Sequence, residues 1–71
     1  MTRRFEFVAG NSAKFWEVGV SGASVTVRYG RLGTTGQQQT KTFPSADSAS
    51  RHVESLVRQK LAKGYTECAP V

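Results

Sequence analysis

Catalytic and metal-binding sites draw mainly on His, Cys, Asp and Glu. This chain has one histidine (His52), one cysteine (Cys68) and five carboxylates spread along 71 residues. No Ser–His–Asp set or metal-ligand cluster stands out. One Cys and one His cannot supply the four N/S ligands of a structural zinc site. Gly30-Arg31-Leu32-Gly33-Thr34-Thr35-Gly36 spaces its glycines like a phosphate-binding loop, but it lacks the Lys-Ser/Thr ending and opens no helix, so it reads as a hairpin. Cys68 has no partner for an intrachain disulfide, which fits a reducing cytoplasm, and it reads as a bystander near the end of the chain. The expectation is a protein that is not an enzyme and needs no metal or cofactor.

Positive charge is plentiful. Ten Lys and Arg against five Asp and Glu leave a net charge of +5. Such an excess suggests a polyanionic partner, most often nucleic acid, with plain solubility as the alternative. Tyr29, Arg31, Gln39 and Lys41 have the right chemistry for it, because an aromatic flanked by cations provides stacking plus phosphate contact. The other reading makes Tyr29 an edge residue of the core and leaves the charges solvated. Lys60 poses a similar choice, since helical rotation places it inside an apolar stripe. Either its stem packs while the ammonium reaches water, or it delivers a cation to the same shelf.

These residues need elements to hold them. At about half of the ~150 residues typical of a domain, the chain reads as one domain over 1–71, with a core at about 3–67 and a tail at 68–71. Phe5 and Phe7 alternate with Arg4 and Glu6 in a first strand, residues 3–8. In a second, residues 14–20, Trp16, Val18 and Val20 share one face, with Phe15 and Glu17 on the other. A third runs over 24–32 and a fourth over 37–43, with turn clusters at Gly10-Asn11-Ser12 and Ser21-Gly22-Ala23. Ser45 is a good N-cap for a helix over 45–63, whose apolar stripe is Ala46, Ala49, Val53, Leu56, Val57 and Leu61. Asp47–Arg51 and Glu54–Arg58 are i,i+4 pairs on its outer flank, and Gly64 ends it. The fold class is α+β: an antiparallel sheet of four to five strands, the fifth at 65–68, with one α-helix packed on one face.

Parity orders the third and fourth strands. With Val25 and Val27 facing the helix, Tyr29 and Arg31 point the same way, as do Gln39, Lys41 and Phe43. The pairing Val27–Phe43, Tyr29–Lys41 and Arg31–Gln39 satisfies this and leaves Thr34-Thr35-Gly36 as a three-residue loop with Gly36 in the left-handed region. The four polar residues then extend past the end of the helix as an open shelf. The expected buried set is Trp16, Val18, Val25, Val27, Phe43, Val53, Leu56 and Val57.

Five segments carry a family signature: Lys14-Phe15-Trp16-Glu17-Val18, Val27-Arg28-Tyr29-Gly30-Arg31-Leu32-Gly33-Thr34, Gly36-Gln37, Lys41-Thr42-Phe43 and Lys60-Leu61-Ala62-Lys63-Gly64-Tyr65. In this order they resemble the WGR domain, named for a Trp-Gly-Arg tripeptide, over about residues 3–67. Tyr29 stands where that family has Trp. The resemblance implies a non-catalytic module like the one that contacts DNA strand breaks in poly(ADP-ribose) polymerases. It is also similar to short stand-alone bacterial proteins of the family. Carried over by position, Tyr29 is the stacking residue and Arg31 the arginine contact. With Arg28 from the same segment, the candidate nucleic-acid-binding set is Tyr29, Arg31, Arg28, Gln39, Lys41 and Lys60.

The first functional expectation is therefore a nucleic-acid-binding module for DNA ends or nicks, with RNA as the variant ligand and no sequence readout. The second is a protein-interaction adaptor that docks a partner on the uncovered sheet face around Phe15. No apolar run approaches the ~20 residues of a membrane span, and the N-terminus lacks a signal-peptide core, so a cytoplasmic location without membrane contact is expected.

Overall fold

The computed structural model describes residues 2–68. Alternating apolar and polar residues produce strands β1 (Thr2–Ala9), β2 (Ser12–Ser21), β3 (Ser24–Arg31) and β4 (Gln37–Thr42), followed by helix α1 (Ala46–Ala62) and a short β5 (Thr66–Glu67). All pairings are antiparallel, and the sheet order is β4-β3-β2-β1-β5. Two-residue turns at Gly10-Asn11 and Gly22-Ala23 join the first three strands. Ser45 caps α1, its hydroxyl accepting a hydrogen bond from the Ser48 N–H at 3.1 Å. Arg51 closes on Asp47 at 3.2 Å, whereas Glu54 and Arg58 form no ion pair among the described residues. No helix of the described residues is long and apolar enough to cross a membrane.

The helix packs across β2 and β3. Ala49, Val53 and Val57 meet Phe5, Trp16, Val18 and Val25 in the core, where the Phe5 and Trp16 rings are tilted at 5.6 Å. Phe5 joins this core although the sequence reading left it out. Val27, Phe43 and Leu56, expected inside, are half-buried along the core's edge, and Leu61 is 49% exposed.

Two expectations about the sheet are corrected. Faces follow the predicted parity, but the β3–β4 register does not: Val25 pairs with Lys41, Val27 with Gln39 and Tyr29 with Gln37. The displacement is four residues along β4, so Arg31 has no partner there and Phe43 lies beyond the strand. The physical reason is an early turn. The Thr34 N–H and hydroxyl both donate to the Arg31 carbonyl, at 3.1 and 2.8 Å, so the chain leaves the ladder at Arg31 rather than after Gly33. At the other end the Phe43 N–H donates to the Ala23 carbonyl at 2.7 Å. Gly30 and Gly36 then touch backbone to backbone: a Cβ on Gly30 would lie 2.8 Å from the Gly36 Cα. Gly36 itself has φ +74° and sits against the Tyr29 carbonyl and the Phe15 ring, so only glycine fits.

The second correction concerns Phe15. It lies on the face away from the helix yet is 2% exposed. The guanidinium groups of Arg4 and Arg28 cover its ring, 4.8 and 5.8 Å from the centroid. Glu17 ties the two arginines together, accepting from Arg4 and, at 2.9 Å, from Arg28. Phe15 is therefore not an exposed docking residue.

Candidate nucleic-acid interface

β4 lies beyond the helix, so the sheet and α1 diverge and leave an open groove of about 730 Å3 between them. Its floor is Trp16, Val25, Val27 and Leu56, and its rim is Tyr29, Gln39, Lys41, His52, Gln59 and Lys60. The polar residues expected to project past the end of the helix lie alongside it instead. A helix packed on β2 and β3 cannot reach across to β4, which explains the placement.

Tyr29 is half-buried next to its cross-strand neighbour Trp16. Its hydroxyl donates to Gln37 Oε1 at 3.3 Å and accepts from Gln39 Nε2 at 3.4 Å. These two amides, on one face of β4, hold the ring in place. Tyr29 also lines a smaller hollow of about 320 Å3 at the end of the sheet, together with Lys14, Arg31 and Tyr65. Lys14 and Arg31 are cross-strand partners, so two cations face each other with no acid between them. Lys60 reaches in from the last turn of α1, its ammonium 5.4 Å from the Trp16 ring and 5.3 Å from the Tyr65 ring. Burial pushes the Lys60 pKa below the ordinary lysine value, and the charges of Lys63 and Lys14 push it further the same way.

Pairing elsewhere sharpens this asymmetry. Glu6 and Glu17 are taken by Arg4 and Arg28, Glu67 by Arg3 and Asp47 by Arg51. No acid lines either hollow. Lys14, Arg31, Lys41 and Lys60 form no ion pair among the described residues, and each lines one of the two hollows that meet at Tyr29.

Of the six residues chosen from sequence, Tyr29, Gln39, Lys41 and Lys60 share the groove, and Arg31 joins Tyr29 in the adjoining hollow. Arg28 does not join them. It lies on the opposite face, packed on Phe15 and paired with Glu17. Lys14, His52, Gln59 and Tyr65 were missed. Lys14 was legible, because strand parity places it on the Trp16 face. Both readings of Lys60 hold at once, for its stem packs and its cation faces the groove. The half-buried Cys68 has its thiol pKa raised by burial, with the Glu6 charge adding to the effect, so it is not primed as a nucleophile. No group of three or more His, Cys, Asp or Glu among the described residues is placed to hold a metal.

The WGR domain family profile matches residues 1–70. The chain belongs to the WGR domain family. This WGR domain superposes on a crystal structure of a protein from Bacteroides fragilis with a TM-score of 0.94 and 45% identity, over 97% of this chain and 20% of that one. It is also similar to two proteins of Escherichia coli strain K12, the uncharacterized protein YfeS and protein YehF. Each is 36% identical over 67 residues, which is 94% of this chain but 28% and 24% of theirs. The chain thus spans under a third of the length of each relative. Within this WGR domain, the central glycine of Tyr29-Gly30-Arg31 is the one against which Gly36 packs.

Proposed function

We propose that this WGR domain is a non-catalytic nucleic-acid-binding module that holds DNA at ends or nicks without reading sequence. The observation that carries the proposal is the segregation of charge. Four acids are consumed by arginines elsewhere, while Lys14, Arg31, Lys41 and Lys60 line the two hollows that meet at Tyr29, with no carboxylate among them. Tyr29 serves as the stacking platform and the cations take phosphates, releasing condensed counterions. On the outer face of α1, Arg51 is paired with Asp47, which leaves Arg58 as a lone cation there rather than a base-reading set. The adaptor reading loses its anchor, since Phe15 is covered by Arg4 and Arg28.

The test is a titration against nicked, blunt-ended and single-stranded DNA, with the matching RNA duplex, at two salt concentrations. Binding that weakens steeply with salt and favours nicked or blunt-ended DNA over both the single strand and RNA is expected. A complex insensitive to salt, or no complex at all, would return the domain to the adaptor class.

A further inference from the structure

The two hollows that meet at Tyr29 differ in chemistry. The smaller brings Lys14 and Arg31 together at the end of the sheet and suits a phosphate. The larger has an apolar floor of Trp16, Val27 and Leu56, which has nothing to offer a phosphate. Above that floor stand side-chain groups that hydrogen-bond in the plane of a heterocycle: the amides of Gln39 and Gln59 and the imidazole of His52. Lys41 lies towards the His52 end, where the His52 and Phe43 rings meet tilted at 4.8 Å and the Lys41 ammonium lies 5.2 Å from the Phe43 ring. Lys60 marks the other end. His52 and Lys60 are eight residues apart on α1, about 12 Å at ~1.5 Å rise per residue. A flat, aromatic, edge-polar group with an anion beside it fits this lining, and no acid on the rim opposes it. Paired bases cannot enter, because their edges and faces are used within the duplex.

We infer that the groove between α1 and β3–β4 seats one unpaired nucleotide of the bound strand, its base against Tyr29, Val27 and Leu56 and its phosphates at Lys41 and Lys60. This rests on the nucleic-acid reading above and goes beyond it. Ends bearing an unpaired base are then the preferred ligand, and the domain distinguishes a base from a bare sugar. The exposed amides and the open rim accept any base, which agrees with binding that ignores sequence.

Trp16 is the single tryptophan of the chain and forms part of the groove floor, so its emission reports on occupancy. The experiment compares three DNA duplexes at one salt concentration: blunt, with a one-adenosine overhang, and with an abasic residue in place of that adenosine. Both 5′ and 3′ overhangs are made. Stacking of ordinary strength corresponds to about tenfold in affinity. The adenosine overhang of at least one polarity should therefore bind roughly tenfold more tightly than its abasic counterpart, with a change in Trp16 emission. Adenosine monophosphate should shift the emission where ribose 5-phosphate does not. Leu56→Phe narrows the groove and should erase the adenosine-to-abasic ratio. If that variant melts far below the parent, Gln59→Phe, at an exposed position on the same wall, replaces it. Equal affinity for adenosine and abasic overhangs at both polarities overturns the inference and leaves the proposed function standing. Failure of every duplex to bind overturns the inference, and failure of nicked DNA as well overturns the proposed function with it.

Discussion

Tyr29 does two jobs that substitution can separate. Its ring borders both hollows, while its hydroxyl is held by Gln37 and Gln39. Tyr29→Ala is expected to weaken DNA binding by about 1–3 kcal/mol with little change in salt slope, because a stacking face is lost and no charge. Tyr29→Trp should hold or improve affinity by enlarging that face. Melting temperature and affinity measured on the same proteins decide the matter: a Tyr29→Ala protein that melts several degrees lower yet binds like the parent has lost only a core-edge residue. Lys60 makes the opposite trade. Its charge is held below its ordinary pKa by burial and by Lys63 and Lys14, so the unfolded chain holds the proton more firmly than the folded one. Its linked contribution to stability therefore rises with pH through the alkaline window just below the ordinary lysine value and is absent at neutral pH. Lys60→Met keeps the packed stem and removes that charge. It should melt at or above the parent's temperature at pH 7 while DNA affinity falls and the salt slope flattens by about one contact. A lower melting temperature with unchanged affinity would show that the ammonium serves the fold.

At the scale of elements, the β3–β4 connection sets the shape of the interface. The turn at Arg31 frees the end of β3 from β4, and the contact of Gly30 with Gly36 brings the loop back across Tyr29. Gly36→Ala must place a Cβ against the Tyr29 carbonyl at a positive φ. The backbone conformation alone costs about 1–2 kcal/mol, or roughly 5–15 °C in a domain of this size. Thermal unfolding measures this, and a variant melting within a degree of the parent would mean the loop is not packed as described. This register was not legible from alternation. A two-residue period assigns side chains to faces and cannot detect a slip of four, which preserves every face. Tyr29, Gln39 and Lys41 therefore fell on the correct side while their pairing was wrong. The helix was legible to within a residue at each end, because Ser45 and Gly64 are local signals whose effect does not depend on distant packing.

Across the whole molecule, the two sheet faces separate structural from ligand-facing charge. Arg4, Glu17 and Arg28 form a plate over Phe15, whereas Arg31 and Lys41 lie uncompensated on the helix-bearing side. Neutralising Arg31 and Lys41 together should flatten the salt slope of DNA binding by about two contacts. Arg28→Gln should leave that slope unchanged and lower the melting temperature, since Phe15 loses part of its cover. An equal loss of slope from both changes would mean that the faces are not functionally distinct. Composition, alternation and capping residues by themselves determined the α+β class, the order of the elements, the face on which each side chain lies and the basic character of the chain, because each depends on local chemistry with a fixed period. Tertiary structure alone decided that Arg3, Arg4 and Arg28 are neutralised, that Phe15 is covered by arginines, and that the helix stops short of β4 so that the basic shelf becomes a groove. Those outcomes depend on distances between residues far apart in the chain, such as Arg4 to Glu17 and Tyr29 to Lys60. Such distances follow from strand register and helix placement, which periodicity leaves open.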